Sequence, residues 1–173
     1  MTTRLTFIPL LLLAALSAAA DASATRTLGA LSLEPCTLAA VGLPVTVSAF
    51  CGTLAVPENR AQPDRRRLEL AIALVPGRSK QAKPDPVFML AGGPGQSARE
   101  AFPSVAGAFR ELLRERDVVL VDQRGTGGSN PIDCRTPGDA AATEAATVAD
   151  PEAARRFAAA CLAGLDADPR FYT

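Results

Sequence analysis

The 173-residue sequence has no histidine and no tryptophan, one tyrosine, and only 5% aromatic residues in total. Each absence removes a class of chemistry. Without an imidazole the chain by itself completes neither a Ser-His-Asp nor a Cys-His site, and it cannot supply the histidine ligands of most catalytic zinc centres. Without tryptophan a sugar-stacking platform is hard to build, which weighs against a glycosidase pair such as Asp133 with Asp139. An excess of one charge is lacking too. The 18 Lys plus Arg are matched by 18 Asp plus Glu, so the electrostatic footprint of a nucleic-acid or anionic-membrane binder is missing. No nucleic-acid partner, no metal and no cofactor is expected.

Runs long enough to span a bilayer are also missing. The apolar stretch Leu5–Leu16, interrupted by Thr6 and Pro9, falls well short of the roughly 20 residues a spanning helix needs. It is preceded by Arg4 and followed by Leu16-Ser17-Ala18-Ala19-Ala20-Asp21-Ala22-Ser23-Ala24, small residues in A-x-A spacing. That order predicts a secretory signal over residues 1–24, with 25–173 exported to a periplasm or released, and no membrane contact after cleavage. Cys36 follows Leu33-Glu34-Pro35 and not small residues, which argues against a lipoprotein. In an exported chain the even set Cys36, Cys51, Cys134 and Cys161, with no C-x-x-C spacing, reads as structural disulfides. Sequential pairing, Cys36 with Cys51 and Cys134 with Cys161, is favoured because each pair flanks a local loop.

Strand-type runs lie at Phe50–Val56 and Leu68–Val75, the second alternating as Leu68, Leu70, Ile72 and Leu74. The turn-rich Pro57–Asp64 between them predicts an antiparallel connection. After a polar linker, Gly77–Pro86, comes Val87-Phe88-Met89-Leu90, a continuous apolar run expected for a strand buried on both faces. A helix is predicted after Ser97, with Phe102, Val105, Ala106, Phe109, Leu112 and Leu113 on one face and Pro103 disturbing its start. Asp117–Asp122 is a second buried strand, so the segment forms a βαβ unit. Asp150 as N-cap, Pro151 at the first helical position and Glu152 in the first turn open an alanine-rich helix from Ala153 to about Leu165. The stretch between, Pro137–Ala149, reads as a surface excursion.

Two glycine clusters carry the functional signal. Gly92-Gly93-Pro94-Gly95 follows a strand and precedes a helix, where backbone N–H groups and the positive helix end can hold a phosphate or an oxyanion. It lacks the G-K-[ST] ending of a P-loop, and Pro94 and Ala98 break a dinucleotide fingerprint. The second cluster, Asp122-Gln123-Arg124-Gly125-Thr126-Gly127-Gly128-Ser129, follows the next strand. With Cys51-Gly52-Thr53-Leu54-Ala55-Val56-Pro57-Glu58-Asn59 upstream, these segments resemble the α/β-hydrolase superfamily. Within it the likeness is to the secreted serine peptidases of the proline iminopeptidase and tripeptidyl aminopeptidase type.

The resemblance covers Phe50 to about Cys134 well and the rest loosely. It implies an α/β fold with antiparallel first strands and then a βαβ unit, as the N-terminal part of an incomplete hydrolase sheet. It implies that Gly93, with Gly92 as second choice, donates a backbone N–H to an oxyanion hole. Pro94 has no N–H to give. Asp122, Arg124 and Gly125 become supporting residues of the neighbouring loop, and Ala91 stands where many members carry histidine. In that fold the nucleophile occupies a G-x-S-x-G elbow after a later strand, with acid and base further on. No G-x-S-x-G occurs in the sequence, since Gly95-Gln96-Ser97 continues Ala98-Arg99 and Gly127-Gly128-Ser129 continues Asn130-Pro131. The expectation is therefore the N-terminal fragment of a secreted serine hydrolase, inactive by itself, whose complete form cleaves peptides at free N-termini or small esters and amides. The alternative is a non-catalytic exported binding module stapled by two disulfides. A fragment with an open sheet edge is expected to fold poorly or self-associate.

Overall fold

A computed structural model describes residues 24–93, 95–132, 134 and 150–172. The signal-sequence expectation, Pro94, Asp133, Asp139 and the stretch 137–149 lie outside them. Six strands form one mixed, curled sheet: β1 Arg26–Leu28, β2 Leu31–Ala39, β3 Thr46–Pro57, β4 Arg67–Val75, β5 Val87–Met89 and β6 Val118–Val121. Their order is β1-β2-β3-β4-β6-β5. The first four neighbouring pairs in that order are antiparallel, and β5 pairs parallel to β6 with Phe88 opposite Val119.

The β3–β4 pairing confirms the expected antiparallel connection, with Phe50 opposite Leu74 and Pro57 opposite Arg67. The parallel β5–β6 pair, joined through helix α1 (Ala98–Val105), is the expected βαβ unit. Between β5 and β6 the helical segment is shorter than its apolar periodicity suggests. α1 stops at Val105 and gives way to two 3₁₀ turns, Ala106–Phe109 and Leu112–Arg114. Pro103 lies inside α1 and Gly107 inside the first turn, and both weaken a continuous helix. The apolar face survives the break: Phe102 and Leu113 are buried, and the Phe102 and Phe109 rings meet at 5.3 Å between centroids.

The core divides across the sheet. On one face α1 lays Ala98 and Phe102 over Leu38, Ala49, Ala73, Val75, Val118 and Leu120. On the other, Leu33, Ile72, Leu74 and Val119 form a second cluster closed by Leu28, Leu31, Phe50 and Val121. From Ala71 on β4 buries both faces, as does β6, which explains the unbroken apolar runs Leu70–Val75 and Val118–Val121. The linker Gly77–Pro86 is docked and not loose. Gly77 N–H donates to Asp117 Oδ1 at 2.7 Å, and Arg78 N–H donates to the Leu113 carbonyl at 2.8 Å. Arg116 holds the Asp85 carboxyl below its usual range, and Lys83 does the same for Glu115. Both pairs are exposed and add little to stability.

Cys36 bonds to Cys51 and Cys134 to Cys161, the sequential pairing. Helix α2, Pro151–Gly164, is capped by Asp150, whose side chain accepts from Glu152 N–H. Among the described residues no helix is long and apolar enough to cross a membrane, and no group of His, Cys, Asp and Glu is arranged to hold a metal ion.

β5 lies at the end of the strand order with Phe88 58% and Leu90 78% exposed. An apolar edge with unpaired backbone groups is a template for association. The chain is expected to self-associate through it. Phe88→Lys should raise the concentration of half-association, read by sedimentation velocity, about tenfold while leaving stability within about 0.5 kcal/mol. A wild-type chain that stays monomeric at high concentration would refute the edge as the cause.

Candidate active-site loops

Parallel pairing brings the two glycine clusters to one end of the sheet. The turn after β5 and the loop after β6 both leave from carboxyl ends of neighbouring strands, the place where open α/β sheets bind ligands. In the first loop Gly93 has φ +119° and Gly95 φ +90°, conformations that glycine adopts without strain. Gly92 and Gly93 are exposed, and a Cβ built on either meets no atom within 4 Å. Among the described residues neither N–H has a protein acceptor. Two backbone donors therefore face solvent beside the start of α1, available to a ligand.

The second loop holds the first in position through one carboxylate. Asp122 is 1% exposed. Its Oδ1 accepts from Ser97 Oγ at 2.8 Å and from Arg99 N–H at 3.1 Å, and its Oδ2 accepts from Gly128 N–H at 3.0 Å. Ser97 is the N-cap of α1, and its Oγ also accepts from Glu100 N–H at 3.1 Å. The helix start that ends the glycine turn is thus tied to the loop after β6. Ser129, wholly buried, anchors the other end of that loop: its Oγ donates to the Asp122 carbonyl at 2.7 Å and accepts from Ala71 N–H at 2.8 Å. The loop is bound to β4 in the same way that the turn is bound to the loop.

Gly127 and Gly128 are required by this packing. Gly127 has φ +48°, and a Cβ there would overlap the Asp122 carboxylate and approach Ser97 Cβ to 2.7 Å. Gly127→Ala is expected to lower stability by about 2 kcal/mol, combining left-handed strain with a clash. Gly92→Ala, in open space, should stay within about 0.5 kcal/mol. Urea unfolding of the two variants measures the difference, and equal midpoints would contradict the packing role.

Arg124 and Gly125 support the loop from a different side. Arg124 donates to the carbonyls of Glu58 at 2.8 Å, Pro57 at 3.2 Å and Phe171 at 3.3 Å, joining the β3–β4 connection to the C-terminal 3₁₀ turn. Gly125, φ +81°, packs where a Cβ would meet Tyr172 Cδ1 at 2.9 Å. Neither residue reaches the glycine turn, and of the three expected supports Asp122 is the one bonded to the helix start that follows it, through Ser97 and Arg99. The residues that sequence reasoning missed are Ser97, Arg99, Gly127, Gly128 and Ser129. Ser97 had a signal, a serine directly before a helical run, which favours an N-cap. Gly127, Gly128 and Ser129 stood inside the second glycine cluster without being singled out, and Arg99 lay in the predicted helix with no signal of its own.

Two cavities flank Asp122. One, of about 310 Å³, lies between Ser97, Arg99, Gly127 and Gly128 on one side and Thr37–Ala39 on the other. A wider one, of about 730 Å³, is bounded by Glu58–Ala61, Gln123, Arg124 and Arg170–Tyr172. Asn130 Nδ2 donates to the Tyr172 hydroxyl at 2.7 Å at its rim. Burial, and then the Glu58 carboxylate, push the Tyr172 phenol above its ordinary value near 10. The folded state favours the neutral phenol, so this contribution is complete below about pH 10 and is lost as pH rises toward the folded value. Tyr172→Phe should flatten that alkaline loss, read from denaturation midpoints between neutral and strongly alkaline pH, and lower neutral stability by about 1 kcal/mol. An unchanged alkaline slope would remove Tyr172 as its source.

No family model matches the chain. It is 35% identical to Carboxylesterase B of Mycobacterium tuberculosis over 92 residues, 51% of this chain and 17% of that protein. It is 33% identical to the Serine protease Hip1 of Mycobacterium tuberculosis over 107 residues, 61% of this chain and 20% of that protein. A Mycobacterium bovis protein that bears a hydrolase name matches at 35% over 92 residues. The chain spans at most about a fifth of the length of these relatives, all of which bear hydrolase names.

Proposed function

We propose that this chain is the oxyanion-binding part of an exported serine hydrolase that acts on acyl bonds, most specifically an aminopeptidase. Esterases and serine proteases share one chemical demand: donors preorganised for the oxygen that becomes negative when a serine attacks a carbonyl. The observation that carries the proposal is the turn at Gly92 and Gly93. Its N–H groups have no acceptor among the described residues, it stands at the carboxyl end of a parallel strand pair, and it is braced through Ser97 by the buried Asp122. The strand order, with β6 between β4 and β5, supports an α/β-hydrolase sheet whose growth continues past β5. The nucleophile, base and acid belong to sequence beyond this chain's share of such a protein.

In the complete enzyme a serine attacks the scissile carbonyl, a histidine moves its proton, and Gly93 N–H stabilises the oxyanion, a donor worth roughly 3–4 kcal/mol. The two disulfides and the likeness to the Serine protease Hip1 support an oxidising, exported setting. The relatives' names support both acyl esters and peptides as substrates.

The test is to express the reading frame that continues this chain and treat the product with a fluorophosphonate reporter. Covalent labelling of a serine within G-x-S-x-G is expected, with none on its alanine variant. Peptide anilides with a free α-amine should be cleaved faster than their N-acetylated forms if the activity is aminopeptidase; faster turnover of short acyl esters points to esterase. A frame with no such motif and no labelling leaves the non-catalytic exported module in its place.

A further inference from the structure

The Arg99 side chain has an unusual setting. Its Nε is buried with no hydrogen-bond partner, and it forms no ion pair among the described residues. Its Nη2 points at Cys51 Sγ, 3.6 Å away, a half of the Cys36–Cys51 disulfide. A disulfide sulfur is a weak acceptor, so the Nη2 donor is poorly satisfied as long as the bond is intact. A thiolate at Cys51 would satisfy it. The disulfide's other half opens elsewhere: Cys36 lines a cavity of about 420 Å³ together with Pro35, Thr37, Ser48, Phe50 and Pro76. Cys36 and Cys51 lie diagonally across β2 and β3, since Cys36 stands opposite Ala49 and Cys51 opposite Glu34.

We propose that Cys36–Cys51 is a thiol–disulfide exchange site for small thiols, in which Cys36 is attacked and Cys51 leaves as a thiolate held by Arg99. The entering thiolate forms a bond to Cys36 Sγ as the Cys36–Cys51 bond breaks, and the electron pair goes to Cys51 Sγ. With a monothiol the product is a mixed disulfide on Cys36. With a dithiol the second sulfur then displaces Cys36, so the reductant leaves oxidised and the protein gains two electrons and a thiol pair. The asymmetry follows from the leaving group: exchange is faster when the departing thiolate is stabilised, and a neighbouring guanidinium stabilises it. The other charged groups on the elements packed here are Glu34, across from Cys51, Glu100 on α1, and Asp122 after β6. Glu34 and Glu100 are exposed, where solvent screens them. Asp122 is buried, and its oxygens accept from Ser97 Oγ, Arg99 N–H and Gly128 N–H and not from the Arg99 guanidinium. The inference does not depend on the hydrolase proposal.

The experiment incubates the oxidised full chain with reduced glutathione at neutral pH, quenches with acid, alkylates free thiols and locates both modifications by mass spectrometry. Glutathione is expected on Cys36 and alkylation on Cys51 by roughly tenfold over the reverse. Arg99→Lys should keep that bias, and Arg99→Ala should slow exchange by about tenfold and bring the bias toward unity. In the reduced protein Cys51 should alkylate as a thiolate at a pH below the usual cysteine value of about 8.5. Equal modification of the two cysteines in the wild type overturns the proposal, and it does so whether or not the alanine variant folds. A bias that survives Arg99→Ala in a folded variant removes Arg99 from it.

Discussion

Replacing Asp122 by alanine is expected to lower the unfolding free energy by about 3–4 kcal/mol, because buried donors lose a charged acceptor and keep their desolvation penalty. Three donors converge on this carboxylate: the Ser97 hydroxyl, the Arg99 N–H and the Gly128 N–H. The last two are only part-buried, and water reaching them sets the lower end of the range. Asp122→Asn is the sharper variant. An amide offers one acceptor oxygen where donors arrive at both oxygens, so in either orientation its NH₂ opposes a backbone N–H. A loss of about 2 kcal/mol is expected, with no change in side-chain volume. Hydrogen exchange adds a reading that global stability does not. Amides of α1's first turn and of Gly128 should lose protection together in either variant, since one carboxylate serves both loops. Independent loss at the two loops would mean that Asp122 does not couple them.

How far the sequence disclosed this arrangement depended on whether each side chain's surroundings are local. β6 was legible because a strand buried on both faces reads as a continuous apolar run, and β4 from its alternation. β5 was legible as a strand, but the expectation that it is buried on both faces fails: it is the end strand, with Phe88 58% exposed, because an apolar run does not disclose which neighbours a strand has. α2 was legible from its cap, Asp150-Pro151-Glu152. β1 and β2 were not anticipated. In β2 the inward residues change sides midway: Leu33 packs with Ile72 and Leu74, whereas Cys36 and Leu38 pack under α1. A strand that gives its odd positions to one core and its even positions to another shows no period of two. Pro35, placed in its middle, further obscures it. The glycine clusters were legible as a pair, and Asp122 as a support. The hydroxyls of Ser97 and Ser129 were not, because their partners are Asp122 and, across 58 positions, Ala71 N–H. Contacts of that span depend on strand order, which composition and periodicity do not encode.

The largest functional effect is expected at Gly93. An alanine there has room, since a Cβ meets nothing within 4 Å, but φ +119° is a region that L side chains rarely adopt. The backbone should rotate out of it, and the N–H proposed to stabilise the oxyanion turns with it. The loss belongs to the transition state, so kcat should fall by about 10²–10³ with KM nearly unchanged. Gly92→Ala provides the comparison, because its φ is not positive and its surroundings are equally open. That variant should lose less than about tenfold, since Gly92 is only the second choice for the proposed donor.

Steady-state kinetics of Gly93→Ala against Gly92→Ala, in the protein that continues this chain through its nucleophile, tests the oxyanion assignment most directly. The predicted result is a 10²–10³-fold fall in kcat for Gly93→Ala at unchanged KM, with the melting temperature lowered by no more than a few degrees, and a far smaller fall in kcat for Gly92→Ala. Equal and small effects at both positions would contradict it, and the glycine turn would then be a connection between β5 and α1 with no part in catalysis.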